Sequence, residues 1–186
     1  PCLHELSFLL VNRYAYCKFR HLMFFNYKFL LLVMVEIERK FLVTSNAFRT
    51  EAFNNYTIKQ GFLNSHKERT VRVRLKKGMG YLTVKGKSKS NGLSRFEWEK
   101  EISITEAENL LKLCETGTID KIRYEVNCGD HIFEVDEFFG DNKGLIIAEV
   151  ELNYENEHFE KPYWLGNEVT GEVKYYNSQL SNIPFN

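Results

Sequence analysis

The sequence predicts a mainly antiparallel α+β domain in which eight strands close into a β-barrel, with a charged interior and helices packed outside. Three observations support this fold class. Polar and apolar residues alternate with period two along most of the chain, as in strands that bury one face. The charges on the polar faces are sorted by sign from one strand to the next. A length of 186 residues with 44% hydrophobic residues suits one domain with a sizeable core.

Alternation and turn residues define the strands in chain order. The eight predicted strands cover 35–43, 57–63, 69–76, 80–87, 94–104, 119–126, 131–139 and 144–154. Lys77–Gly80 supplies a turn between the third and fourth strands, and Asn127–Asp130 joins the sixth and seventh as a hairpin with Gly129 in the turn. Phe96 and Trp98 alternate with glutamates on the fifth strand, and we expect both to pack in the core.

Helical patterns occupy three segments. The sequence predicts a helix over 105–115, because Thr105 followed by Glu108 fits a capping box and an apolar stripe follows. The segment 44–56 is expected to hold a short helix, and the tail is expected to be helical from about Thr170.

Five of the predicted strands carry rows of like charge. Glu-x-Glu occurs on the first, fifth and last strands, and Arg-x-Arg or Lys-x-Arg occurs on the third and sixth. Like charges two residues apart on a strand stand about 6.5–7 Å from each other, and an ordinary solvent-exposed face mixes signs to avoid this repulsion. For any single strand, a solvated charged face is the alternative. Taken together, the rows indicate a bound ligand that supplies the missing countercharge.

The chemistry of the rows indicates which ligand this is. Carboxylates attract hard divalent cations such as Mg²⁺, which proteins hold with one or two carboxylates plus substrate phosphates. Arg and Lys bind phosphate, and Arg can bind two oxygens at once. A barrel of about eight strands has room inside for side chains or one small ligand. The sequence therefore predicts a site for a metal–polyphosphate complex inside the closed sheet.

The bulk composition excludes several other classes. The formal net charge is zero, so nothing indicates a nucleic-acid partner, which usually requires a basic excess. The four cysteines form no C-x-x-C pair and the five histidines are dispersed. These patterns indicate reduced thiols in a cytoplasmic protein and disfavour a zinc site.

Residues 1–33 differ from the rest of the chain. This segment is apolar and aromatic, but its uninterrupted apolar run is shorter than the about 20 residues that cross a bilayer, and it lacks a small-residue cleavage site. Met34 immediately precedes the first strand. We expect 34–186 to form the functional domain and 1–33 to be a non-native or poorly ordered extension; a membrane-associating helix is the alternative.

The body of the chain, about 34–182, resembles the CYTH domain of the triphosphate tunnel metalloenzymes. Its tail, WLGNEVTGEVKYYNSQL, is similar to the closing segment of the short bacterial members. Seven motifs carry the resemblance in the family's order: Glu36-Ile37-Glu38-Arg39-Lys40, Arg72-x-Arg74, Thr83-Val84-Lys85, Phe96-Glu97-x-Glu99, Lys121-x-Arg123, Asp136-x-Phe138 and Glu149-Val150-Glu151.

The resemblance implies an eight-stranded tunnel that binds triphosphate with Mg²⁺ or Mn²⁺ and mostly hydrolyses inorganic triphosphate in short bacterial members. The implied metal ligands are Glu36, Glu38, Glu149 and Glu151, with Glu97, Glu99 and Asp136 as further members. The implied phosphate-binding residues are Lys40, Arg72, Arg74, Lys85, Lys121 and Arg123. Lys40 would also help to position or activate the attacking water. We expect a monomer or homodimer that acts on a triphosphate-containing small molecule, without nucleic-acid or membrane partners.

One position departs from the family pattern. Some bacterial members have tyrosine in the motif Gln-Gly-Tyr-Leu, where its hydroxyl is proposed to pair with the signature lysine, but this chain has Phe62 there. Two alternatives to a triphosphatase stay open, and the Phe62 change bears on the second. One is a class IV adenylate cyclase, which converts ATP to cyclic AMP, and the other is a module that binds polyphosphate without turnover. Thiamine triphosphatases are also relatives, so the preferred triphosphate is not fixed by the resemblance.

Overall fold

A computed structural model describes residues 35–88 and 92–185; the predicted extension 1–33 lies outside the described residues. The strands are β1 (Val35–Val43), β2 (Asn54–Asn64), β3 (Arg69–Lys76), β4 (Met79–Gly86), β5 (Ser94–Ile102), β6 (Ile119–Cys128), β7 (His131–Phe138), β8 (Ile146–Glu151) and β9 (Leu165–Glu168). The α-helices are α1 (Phe48–Glu51), α2 (Ile104–Leu111) and α3 (Asn177–Leu180), and 3₁₀ turns occupy Gly140–Asn142 and Val173–Tyr175. None of the helices in the described part of the chain has the length and apolar character needed to span a bilayer.

Eight strands form a closed barrel. Their order is β5-β4-β3-β2-β6-β7-β8-β1, with antiparallel neighbours throughout, and a further pairing between β5 and β1 closes the sheet. The prediction of an eight-stranded closed barrel is therefore confirmed. The short strand β9, which the sequence analysis missed, pairs with the end of β1, where Phe41 lies opposite Glu168.

Tight turns connect the hairpins where the sequence predicted them. Between β3 and β4, Lys77 has a φ of 51° and Gly78 has a φ of 74°. Two-residue hairpin turns of type I′ require positive φ at both central positions, which explains the glycine. The β6–β7 turn uses Gly129 in the same region, with a φ of 56°.

Apolar residues cover two sectors of the barrel's outer surface. α2 packs on β2, β3 and β4, and a side chain at Gly80 would meet the Ala107 Cβ at 2.7 Å. The other sector lies over β1, β7 and β8, where Phe48 of α1 and Trp164 make edge-on aromatic contacts. The outer face of β5 is different, because Phe96 and Trp98 are 45% and 36% exposed. The expectation that these two residues pack in the core is wrong, since α2 leaves them partly open to solvent.

Both predicted helix boundaries near the barrel need correction. The capping box of α2 is formed by Ser103 and Glu106, not by Thr105 and Glu108: the Ser103 hydroxyl accepts from the Glu106 N–H at 3.2 Å, and the Glu106 carboxylate accepts from the Ser103 N–H at 2.8 Å. The helix ends at Leu111 because the following residues form tighter hydrogen bonds that span three residues.

The tail is not one helix from Thr170. Gly171 has a φ of 80°, which a continuous α-helix does not allow. The tail instead forms β9, a 3₁₀ turn and the four-residue helix α3. Its apolar residues Val169, Tyr175 and Leu180 are buried together against the barrel. Their spacing in the sequence reflects packing against the barrel and not the apolar face of one long helix.

Candidate functional site

The predicted site residues share the inner face of the barrel. Residues that oppose each other in an antiparallel pair project to the same side. Lys40 opposes Glu149 on the neighbouring strand, and Arg123 opposes Asp136. The same registers continue around the barrel through β2, β3, β4 and β5. They place the following predicted residues on this face: Glu36, Glu38, Lys40, Arg72, Arg74, Lys85, Glu97, Glu99, Lys121, Arg123, Asp136, Glu149 and Glu151.

The charged side chains on this face are buried, unlike those on an ordinary solvated surface. Every charged residue that is buried in the described part of the chain belongs to the predicted set: Glu38, Lys40, Arg72, Arg74, Lys85, Lys121, Arg123 and Asp136. Removing charges from water is costly unless partners compensate for the lost hydration. Eight such residues lie together on the inner face of the barrel, so the alternative of a solvated face is wrong.

Lys40 is held between two carboxylates. Its Nζ lies 3.0 Å from Glu38 and in direct contact with Glu149. Burial alone lowers the pKa of Lys40, but the Glu149 and Glu38 carboxylates raise it by more, so the net shift is upward. The amine therefore stays protonated at neutral pH and acts as a fixed positive charge.

The β3 arginines form one cationic wall with partners on β5. Arg74 Nη2 lies 2.9 Å from Glu99, and Arg72 Nη2 lies 3.3 Å from the same carboxylate and 3.1 Å from the Thr83 hydroxyl. Burial, and then repulsion from Arg74, lowers the pKa of Arg72 to about 10. The wall therefore remains cationic at neutral pH, and its charge is only partly balanced.

Lys85 extends this wall towards β1. Its Nζ lies 2.9 Å from Glu36 and 2.6 Å from Glu97. Arg95 makes two further contacts with β1, at 2.9 Å to Glu36 and 2.9 Å to Glu38. Cations from β4 and β5 therefore fix the carboxylates of the opening motif in place.

A second cationic wall is anchored on Asp136. Arg123 donates to the two Asp136 oxygens at 2.7 and 2.6 Å, and Lys121 contacts the same carboxylate. Burial, with repulsion from Arg123, lowers the pKa of Lys121 to about 8. Arg123 also reaches Glu149 at 3.2 Å. Asp136, predicted as a further metal residue, has both oxygens occupied by cations and so orients the pair.

Glu151 lies in a region of excess negative charge. Glu151 is the exposed last residue of β8, and partial burial of its carboxyl, together with the carboxylates Glu134, Glu36 and Glu38, raises its pKa to about 7. No cation among the described residues lies within ion-pair distance of Glu151; the nearby cations pair with Glu36, Glu38 and Glu149 instead. Three or more acidic, His or Cys side chains do not converge into a ready metal-binding group anywhere in 35–88 or 92–185. The other predicted carboxylates instead contact the cations described above: Glu36, Glu38, Glu97, Glu99, Asp136 and Glu149.

Apolar residues close one end of the barrel. Beyond the charged layer, the inner face carries Ile119, Phe138 and Ile147, which are at most 2% exposed. The tail residues Tyr175 and Leu180 pack against them. Access for a ligand is therefore from the opposite end.

Comparisons with known proteins identify the family. The model of the CYTH domain matches residues 34–183. The chain belongs to the CYTH domain family. An inorganic triphosphatase of Acetivibrio thermocellus is 46% identical over 151 residues, which cover 81% of this chain and 95% of that protein. An inorganic triphosphatase of Nitrosomonas europaea is 36% identical over 157 residues, which cover 81% of this chain and 100% of that protein. The crystal structure of the inorganic triphosphatase NE1496 has a TM-score of 0.55 at 30% identity, covering 78% of this chain and 93% of that one.

Sequence analysis missed several residues of this CYTH site. Arg95, Thr83 and Glu134 all project inward and contact predicted residues. The alternation of faces along a strand would have found them. Each lies two residues from a predicted site residue on the same strand and therefore points to the same face. Arg95 and Glu134 lie beside the family motifs and not within them, and Thr83 lies within the motif Thr83-Val84-Lys85 but was given no role there.

Phe62 lies on the inner wall of the CYTH barrel, where the departure from the family pattern was noted. It opposes Arg72 in the β2–β3 pairing and is 4% exposed. Its ring brings no hydroxyl to this position. The protonated Lys40 therefore has no tyrosine partner from this strand position, and its described contacts are the carboxylates Glu38 and Glu149.

Proposed function

We propose that this chain is a divalent-metal-dependent hydrolase of inorganic triphosphate. The observation that carries the proposal is the set of buried cations that face carboxylates inside one closed barrel. A chain of phosphates carries several negative charges within a short length, and Arg and Lys are the side chains that bind it. The names of the relatives that are 46% and 36% identical support the same activity.

The cations bind and orient the substrate. Arg72 and Arg74 share Glu99, and Lys121 and Arg123 share Asp136. The first wall also keeps donors that no carboxylate uses, the buried Nε–H groups of Arg72 and Arg74. These donors, together with cations that exchange a carboxylate for the substrate, bind phosphate oxygens. This fixes the phosphate chain along the tunnel axis, which lowers the entropic cost of reaching the transition state.

Lys40 stabilises charge rather than acting as a base. Its raised pKa keeps the ammonium protonated, and a preorganised cation lowers the energy of charge that develops on the transferred phosphoryl group. Glu149, which contacts Lys40 and Arg123, keeps the two cations at fixed positions.

The carboxylates at the open end fit a divalent cation. Partial burial and the neighbouring carboxylates raise the pKa of Glu151 to about 7. Mg²⁺ and Mn²⁺ take oxygen ligands. The residues that would hold the metal are Glu151, which has no cation partner among the described residues, and Glu36 and Glu38, which would exchange their contacts with Arg95 for the metal. When bound, the metal supplies charge neutralisation at the transferred group. The other members of the predicted acidic set are Glu97 and Glu99 on β5, Asp136 on β7 and Glu149 on β8.

A phosphate-release screen tests the proposal. Purified protein is incubated with tripolyphosphate, ATP or thiamine triphosphate, with Mg²⁺, Mn²⁺ or EDTA, and the products are separated. We expect the fastest phosphate release from tripolyphosphate, and none in EDTA. Cyclic AMP and pyrophosphate from ATP would identify a cyclase instead. Tight binding of tripolyphosphate without phosphate release in either metal would identify a binding module.

A further inference from the structure

Gln60 is a fully buried polar residue of the tunnel wall that the proposed roles do not use. It is 0% exposed and lies on β2, where it opposes Arg74 on one side and Ile119 on the other. The next residue, Gly61, faces outward, because a side chain there would meet Cys114 and Leu111 beside α2. Successive side chains on a strand point to opposite faces, so the Gln60 side chain points into the tunnel.

The carboxamide of Gln60 is unpaired at both ends. Neither its Nε2 nor its Oε1 has a hydrogen-bond partner among the described residues, and the same holds for the buried Nε atoms of Arg72 and Arg74. Buried polar groups in native proteins are nearly always hydrogen-bonded, since an unmade bond costs about 1–3 kcal/mol. Four unpaired polar atoms on two adjacent strands therefore point to a ligand at this part of the wall.

The unpaired atoms at this position indicate the chemistry of the ligand that binds there. Three of the four unpaired atoms carry donors, namely the Nε–H groups of Arg72 and Arg74 and the Nε2 of Gln60, and the fourth, the Gln60 Oε1, is an acceptor. The carboxylate nearest to the arginines, Glu99, contacts their Nη2 atoms and leaves each Nε free. A ligand that uses these donors is an anion with several oxygens.

We propose that Gln60 is a substrate-binding residue whose Nε2 donates to a phosphate oxygen held between Arg72 and Arg74. The inference rests on the proposed function and adds a neutral donor to its cationic walls. Gln60 lies where the charged layer meets the apolar closed end, beside Ile119. It therefore binds the end of the phosphate chain that enters the tunnel first.

The test compares two changes at Gln60 with a control on the outer face of the same strand. Gln60→Leu keeps the approximate volume but removes both polar atoms, Gln60→Glu adds a negative charge, and Thr57→Val changes an exposed residue of β2. We measure kcat and KM for tripolyphosphate and the thermal midpoint of the ligand-free protein. We expect Gln60→Leu to raise KM about ten-fold, with an equal or higher midpoint because an unpaired amide is removed. Gln60→Glu raises KM further, and Thr57→Val changes neither quantity.

The results separate this inference from the proposed function. An unchanged KM in Gln60→Leu, or in Gln60→Glu if the leucine variant does not fold, overturns the role of Gln60 while the wild type stays active. A lower midpoint with unchanged KM would make Gln60 a structural residue. A wild-type protein that neither binds nor hydrolyses tripolyphosphate would refute the proposed function itself.

Discussion

At the scale of single residues, the charges of the tunnel differ in how completely they are compensated. Lys40 and Asp136 are each held by two partners of opposite charge. Glu151 instead has like charges as neighbours, and its pKa is raised to about 7. Residues of the first kind maintain the shape of the site. A bound cation is therefore stabilised most by the electrostatic attraction beside Glu151.

Replacing Glu151 by Gln tests this assignment. We expect Glu151→Gln to lower metal-dependent turnover of tripolyphosphate at least about 100-fold, because a metal-binding oxygen and its charge are lost. Glu108→Gln, at an exposed carboxylate on α2, is the control. Full activity of Glu151→Gln in both Mg²⁺ and Mn²⁺ would refute the role of this residue.

The pKa of Glu151 predicts how the stability of the metal-free protein depends on pH. The folded state holds this proton up to a pH of about 7, whereas the ordinary value is 4.5. Between these values the folded state binds more protons than the unfolded chain, so this carboxyl reduces stability as the pH rises. In EDTA we expect Glu151→Gln to be more stable than the wild type at pH 8, with a smaller difference at pH 5. Thermal unfolding of both proteins at both pH values measures this stability difference. A wild type that is more stable than Glu151→Gln at pH 8 would contradict the raised pKa.

Arg74 tests the cationic wall by a change that preserves charge. Lysine cannot reproduce the fork of donors by which Arg binds two oxygens. We expect Arg74→Lys to raise KM for tripolyphosphate about ten-fold, with little change in the ligand-free thermal midpoint. Arg39→Lys is the matched control, because Arg39 also binds a carboxylate, Glu168, but away from the tunnel face. Equal KM values in the two variants would contradict the role of Arg74.

At the scale of elements, strand faces were predictable and helix ends were not. Period-two alternation assigned Glu36, Glu38 and Lys40 to one side without any knowledge of the partner strands, because a strand has only two faces. The capping box was misplaced because Ser103 and Thr105 both fit the pattern, and only the backbone geometry distinguishes them. β9 was missed since four residues are too few to show a period.

The capping box provides a direct test of the corrected helix start. We expect Ser103→Ala to lower the free energy of unfolding by about 1 kcal/mol, because the Glu106 N–H loses its side-chain acceptor. Thr105→Ala, the matched control at an exposed position inside the first turn, should change it by less than about half of that. Chemical denaturation gives the free energy of unfolding of the two variants. An equal loss in both would contradict the assignment of Ser103 as the N-cap.

At the scale of the whole molecule, closure of the barrel brings together charges from distant parts of the chain. Lys40 and Glu149 face each other across the β1–β8 pairing, although 109 residues separate them. The sequence predicted that such residues converge, because no ordinary surface explains sorted rows of charge. It did not predict which cation binds which carboxylate. Those contacts depend on strand register and on long side chains that reach several partners, as Arg123 reaches both Asp136 and Glu149.

The central claim is that the barrel interior, rather than an outer surface, binds the metal and the triphosphate. The most direct measurement is a crystal structure with Mn²⁺ and imidotriphosphate, a slowly hydrolysed analogue, in which the anomalous signal locates the metal. We predict the manganese peak beside Glu151 and the β1 carboxylates, with the analogue's phosphates against Arg72, Arg74 and Arg123. A manganese peak and phosphate density on the outer face of the strands, with the interior occupied only by water, would contradict the account.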